Sequence, residues 1–279
     1  MEAKKLRIST VRGKKIISVS RRTDIPAFYD DWFFEHLQKG FVNVKNPFNP
    51  HQIRKVSLKK EDVLCFVFWT KNPLPMLPKL NLLKDFPFYF LFTLNPYGRD
   101  VEIYVPDKTE LIETFRKLSE QIGKKRVIWR YDPILLSEKY NLAFHFERFE
   151  FLAEKLHNYT EKCIISFIDF YRKTKRKTAH LHLREISEKD KKMIVKNFSE
   201  TAKKFNIKIQ TCAEKTDFSE FGISHGKCID DELISEIIGR EIHIPKDKNQ
   251  RKECNCVSSI DIGTYDTCHH HCLYCYANG

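Results

Sequence analysis

The sequence predicts an α/β fold organised on a parallel sheet, and three observations carry that prediction. Short apolar runs alternate with amphipathic stretches of helical period for most of the 279 residues. Six or seven such runs follow one another, with helices rather than tight turns between them. Polar, chemically versatile residues recur directly after the runs, where parallel strands bring their ends to one face. A full or partial TIM-like (βα) barrel fits these features, with an open doubly wound sheet as the alternative.

Strands are expected at 15–20, 63–69, 88–94, 127–131, 163–169 and 207–212, each an apolar run bounded by polar loops, with a short last strand at 258–262. A helix at 109–121 stops at Gly123, a residue suited to ending helices. A second, at 142–157, sets Phe146, Phe149, Leu152, Ala153 and Leu156 on one face. A third, at about 188–205, opens with Ser187 and Asp190 at capping-box spacing. Residues 41–58, with Asn-Pro pairs, read as an extended excursion, and 245–253 as a linker or surface loop. No internal repeat or low-complexity tract is present. The expected division is a βα-barrel body at 1–244 and a cysteine-rich segment at 245–279 that completes the barrel.

Composition narrows the class. Hydrophobic residues make up 42% and charged residues 31%, the balance of a folded protein rather than a disordered one. The longest apolar runs, 63–69 and 86–94, are far too short to span a bilayer, and residues 1–15 are basic and polar with no export-type segment. A cytoplasmic location without a membrane partner is the expectation. The net charge of +12 makes nucleic acid or a nucleotide a partner to consider. Against that, the basic runs at 172–177, 189–192 and 246–252 are scattered, and abundant Lys, Ile and Phe are what a low-GC genome produces regardless of function.

Nine cysteines in a reducing compartment point to metal or redox chemistry rather than disulfides. Cys65 and Cys163 lie inside apolar runs and read as small core residues. The other seven follow residue 211. Cys268, Cys272 and Cys275 have the spacing C-x3-C-x2-C, short enough to wrap three corners of a 4Fe-4S cubane and leave one iron open. A Cys3His zinc site using one of His269, His270 and His271 is the alternative, although three adjacent histidines cannot all face one metal. Cys212, Cys228, Cys254 and Cys256 suggest a second site, either an iron–sulfur cluster or zinc. The plainer reading leaves Cys212 and Cys228 merely packed. Strand-end candidates are Asp24, Lys71, Asp132, Asp169 and Glu214 for catalysis, with Arg130, Arg172 and Lys71 to pair with carboxylate or phosphate.

The C-terminal motif, with Tyr274 just before its third cysteine, resembles that of the radical S-adenosylmethionine (SAM) enzymes. More widely, the chain resembles the family called domain of unknown function 1848. The resemblance runs through SVSRRTDIP (18–26), FWTKNP (68–73), WRYDP (129–133), TCAE (211–214), GKCID (226–230) and DIGTYDTCHHHCLYCYAN (261–278). It implies SAM on the open iron, Tyr274 against the adenine, and electrons from a reductase or ferredoxin-type donor. Asp24, Asp132, Asp169 and Glu214 would then bind ribose hydroxyls or relay protons. In radical SAM enzymes the motif follows the first barrel strand, so its place here implies a circular permutation, with 258–262 feeding the cluster loop beside 15–20. The expected function is a radical SAM-like enzyme of unknown substrate. The rival is a non-catalytic, metal-stabilised module that binds nucleic acid.

Overall fold

The apolar runs form strands close to where the sequence places them. The computed structural model describes residues 13–278. The first strand, β1 (Lys15–Val19), leads into a short helix α1 (Ile25–Phe28) and then α2 (Asp30–Lys39). The excursion at 41–58 is an antiparallel hairpin of β2 (Phe41–Asn46) and β3 (Asn49–Ser57), set apart from the main sheet. After it come β4 (Val63–Thr70), β5 (Phe88–Thr93), α3 (Lys108–Ile122), β6 (Val127–Ile134) and α4 (Leu142–Leu156). The remainder comprises β7 (Lys162–Phe167), α5 (Arg172–Lys177), α6 (Glu188–Lys204), β8 (Lys208–Thr211), β9 (Ser224–His225), α7 (Asp231–Ile238) and β10 (Ile260–Asp261). Both β9 and α7 went unforeseen: a two-residue strand and a short helix leave almost no periodic signal. Among the described residues, no helix is long and apolar enough to cross a membrane.

Eight strands form one all-parallel sheet in the order β10-β1-β4-β5-β6-β7-β8-β9. The order advances in one direction without the reversal that a doubly wound sheet requires, which corrects that alternative. A full barrel is also not formed, since among the described residues no ladder joins β9 to β10. As expected, the last strand lies in parallel beside the first, with Ile260 opposite Ile17.

Each central strand is apolar on both faces because both are covered. One face, with Phe66, Phe68, Phe90, Phe92, Trp129 and Ile165, packs against α2, α3, α4 and α6. Helix α3 buries Leu111, Ile112, Phe115 and Leu118, spaced to one side, and ends at Gly123 with φ +87°. Helix α6 opens on the expected Ser187–Asp190 capping box. Rings then run from sheet to second helix layer: Trp129 stacks on Phe149 of α4 at 5.0 Å, and Phe149 on Phe198 of α6 at 3.8 Å. The other face, with Cys65, Tyr89, Leu91, Ile128 and Ile164, is covered by α7 and by Cys254, Cys256 and Val257. Cys65 and Cys163 are core residues, as expected.

One carboxylate ties the chain's last strand to its first. Asp261 accepts hydrogen bonds from Ser18 Oγ at 2.9 Å, Ser20 Oγ at 2.5 Å and the Arg21 N–H at 2.8 Å. The Gly263 N–H adds a fourth at 3.0 Å. Gly263 itself passes so close to β1 that a Cβ there would lie 2.0 Å from Ser20 Oγ. The Gly263→Ala substitution should therefore lower stability by about 1–3 kcal/mol, read from urea unfolding. Unchanged stability would mean that the approach of β10 to β1 relaxes freely.

His145, on α4, is buried with Nε2–H donating to the Leu135 carbonyl (2.8 Å) and Nδ1 accepting from the Tyr131 hydroxyl (2.7 Å). Burial pushes its pKa down to about 4, despite the Leu135 carbonyl, so the folded state holds it neutral. An unfolded histidine binds its proton near pH 6.5, so this residue's contribution is intact above that value and is lost as pH falls toward 4. NMR titration of the His145 ring should show no protonation down to about pH 5. A midpoint near 6.5 would contradict the buried neutral ring.

Candidate functional site

Parallel strands deliver their C-terminal ends to one edge of the sheet, and a cavity of about 300 Å³ opens there. Ser20 after β1, Thr70 and Lys71 at β4, Thr93 of β5, Arg130 and Asp132 of β6 and Ser166 of β7 all border it. So do Cys212 after β8, Cys228 after β9, Cys254 and Cys256, and the loop after β10 with Cys268, Cys272, Cys275 and Tyr274. The cysteine loop thus faces Lys71, Arg130 and Asp169, and Tyr274 borders the cavity, both as expected.

Two segments hold the loop from outside its own sequence. The stretch after β5 runs beside it: Leu273 N–H donates to the Val101 carbonyl (2.9 Å) and Tyr104 N–H to that of His270 (3.1 Å). Beneath lies Glu102, only 1% exposed, whose carboxylate takes Lys71 Nζ at 2.6 Å, Lys108 Nζ and the Tyr274 hydroxyl. Burial opposes its ionisation, and Lys71 and Lys108 outweigh burial and hold the carboxyl at about 2. From the other side Asp24 accepts His270 Nε2–H (2.9 Å) and the Lys71 N–H (2.7 Å), besides capping α1.

The three histidines turn to different partners: His269 to the Tyr29 hydroxyl, His270 to Asp24 and His271 to the ring of Tyr104. The three therefore do not converge on one point, and of them only His270 borders the cavity, with its Nδ1 unpartnered. Burial pushes the Cys268 thiol up to about 12 and raises that of Cys272, which Lys71 offsets in part. The backbone N–H of Ala277 lies 3.3 Å from Cys275 Sγ. Such N–H donors suit sulfurs that carry negative charge. Across the cavity, hydrogen bonds from the Cys228 and Cys254 thiols, with backbone N–H donors, lower the pKa of Cys256.

The remaining strand-end residues divide. Arg130 pairs with Asp132, which also accepts from Ser166 Oγ, and its guanidinium lies 4.7 Å from the Trp69 ring. Asp169 is 48% exposed and pairs with Arg251 at 2.5 Å. Glu214 does not border the cavity: it accepts the Phe167 N–H at 2.9 Å, and burial raises its pKa. Arg172 is exposed on α5 and also lies outside the lining. Both were expected at the site, but the chain turns away before them. Buried polar atoms of Thr23, Trp69, Arg130, His270 and Asn278, all lining residues, have no hydrogen-bond partner. Glu102 was not anticipated, because it neither ends a predicted strand nor belongs to a quoted motif; Asp261 lies in both the expected last strand and the C-terminal motif, yet its role as an acceptor was not foreseen.

Fold and site together define a thiol-rich α/β protein, wound in one direction, with a ligand-sized cavity at its strand ends. The chain belongs to the family described as Domain of unknown function (DUF1848), whose model matches residues 16–277. No curated protein matches the sequence. Among solved structures it is similar to a "putative alpha-L-fucosidase" from Bacteroides thetaiotaomicron VPI-5482, at 12% identity and a TM-score of 0.28, over 81% of this chain and 91% of that one. It is also similar to HydG, a maturase of the FeFe-hydrogenase, at 12% identity and a TM-score of 0.36, over 84% of this chain and 58% of that one. At such scores neither likeness bears on function.

The clamp beneath the loop is testable. Glu102→Ala leaves two ammonium groups and a phenol without their shared partner, and should cost about 3 kcal/mol or more in urea unfolding. A loss under about 1 kcal/mol would mean that water or a nearby residue replaces the carboxylate.

Proposed function

We propose that the cavity is the site of an iron–sulfur enzyme of radical SAM-like type, with Cys268, Cys272 and Cys275 as the cluster ligands and a small-molecule substrate. The observation that carries the reading is the setting of the trio: three thiols from one short loop border a cavity in which buried polar atoms await partners. The donor set suits a cluster, being three soft sulfurs from one short loop, with a backbone N–H facing Cys275. Once bound, such a cluster supplies the electron and the open iron for reductive cleavage of SAM.

The chain's own residues have distinct parts. Asp24 positions the loop by holding His270 and the Lys71 backbone together. Lys71, committed to Glu102, helps fix Tyr274, whose ring is offered to the adenine. Arg130 retains an unpaired Nε beside an unpaired Trp69 Nε1, and the two are suited to a carboxylate or phosphate. Asp132 and Asp169, on the same rim, are suited to hydroxyl groups or proton relay. Arg172 and Glu214 have no part in this reading. A cluster loop that follows the last strand, beside the first, supports a circular permutation. A reductase or ferredoxin-type donor would supply the electron.

The test is anaerobic reconstitution with iron and sulfide, then dithionite and SAM. Released 5′-deoxyadenosine is expected from the wild type and none from the C268A/C272A/C275A variant. A wild type that carries its cluster yet releases none would overturn the reading in favour of a non-catalytic metal-stabilised module.

A further inference from the structure

Four thiols in the same cavity have no part in that reaction. Cys212 follows β8, Cys228 follows β9, and Cys254 and Cys256 lie in the segment that leads to β10. Cys212 Sγ and Cys228 Sγ are 3.4 Å apart, and Cys254 and Cys256 border the same cavity. The backbone N–H groups of Cys228 and Ile229 point at Cys256 Sγ, at 3.3 and 3.4 Å. Three separate stretches of chain therefore meet through sulfur.

The place where they meet matters as much as the contact. β9 and β10 are the two edges of the sheet, and among the described residues no ladder closes the gap between them. Across that gap the Val257 N–H donates to the Ile229 carbonyl at 3.1 Å. Tyr89, beneath, donates to the Cys228 carbonyl at 2.6 Å and accepts from the Asp230 N–H at 3.1 Å. The thiols thus sit where the fold has least backbone pairing to hold it.

We propose that Cys212, Cys228, Cys254 and Cys256 bind one tetrahedral cation of zinc type, which fastens the lead-in to β10 onto the ends of β8 and β9 in place of a closing ladder. Spacing separates this from the alternatives. Two thiolates on one zinc, each at about 2.3 Å, stand about 3.8 Å apart, close to the Cys212–Cys228 contact. A cubane binds its cysteines through different irons and keeps their sulfurs farther apart. A disulfide would need about 2.0 Å. Cys228 links the segments, by its thiol to Cys212 and by its backbone N–H to Cys256, and among the described residues no three His, Cys, Asp or Glu side chains already surround one point. Binding would draw the four sulfurs together, so that metal affinity contributes to folding. Four thiolates and a divalent cation carry a net charge of −2; Arg130 and Arg251 lie on the same cavity wall, each paired with a carboxylate, Asp132 and Asp169.

The test uses full-length protein purified without oxygen, stripped with a chelator and titrated with zinc chloride alone. One zinc per chain is expected, with Cys212, Cys228, Cys254 and Cys256 becoming protected from alkylation, as read by mass spectrometry. The C268A/C272A/C275A variant should keep that zinc, and C254S/C256S should lose it together with a drop of several degrees in Tm. Should C254S/C256S fail to fold, the protection pattern of the wild type still decides. Zinc that protects the C-terminal trio instead, iron and sulfide retained by the triple variant, or an oxidised Cys212–Cys228 pair would each overturn the proposal. Because the triple variant lacks the proposed cluster ligands, its zinc content is independent of whether SAM is cleaved.

Discussion

Asp261 is the constraint on which the cavity face depends. Its carboxylate gathers two serine hydroxyls and two backbone N–H groups, and these contacts seat the two-residue strand β10 against β1. So short a strand has too few ladder bonds to hold its register unaided. The side-chain knot supplies what the ladder lacks, and it sets where the chain leaves β10 toward the cysteine loop. Gly263 completes the arrangement because only a residue without a Cβ can pass Ser20 at that distance.

Burial of charge explains the rest of the wall. A carboxylate taken out of water must be paired, and Glu102 satisfies this with two ammonium groups and a phenol drawn from both sides of the site. Asp24 does the same with a histidine and a backbone N–H. Most polar groups around the cavity are consumed in this way, so the side chains that look reactive in sequence hold one another rather than a ligand. A few buried atoms, on Trp69, Arg130, His270, Thr23 and Asn278, are left without a partner.

The open edge of the sheet and the distribution of thiols are connected. A closed barrel satisfies every strand by pairing, whereas this sheet ends on β9 and β10 with side chains and short backbone contacts between them. Four cysteines gather there, and on the zinc proposal they would supply a closure that depends on metal rather than on ladder hydrogen bonds.

Much of this was legible beforehand. Seven of the eight parallel strands, the three long helices, the core roles of Cys65 and Cys163 and the pairing of the last strand with the first follow from apolar runs, capping residues and the spacing of motifs. These properties are local, or are set by a period that repeats along one segment. Illegible were β9, α7, and the work of Glu102 and Asp261. Arg172 and Glu214 were expected in the cavity because they follow predicted strands, yet one faces solvent on α5 and the other turns back to Phe167. By itself the sequence determined which segments are strands, which are helices and which thiols cluster at the C-terminus. Tertiary structure alone decided which charges meet, because Glu102 and Tyr274 stand 172 residues apart, and only the folded sheet brings a buried acid beneath the loop that needs it.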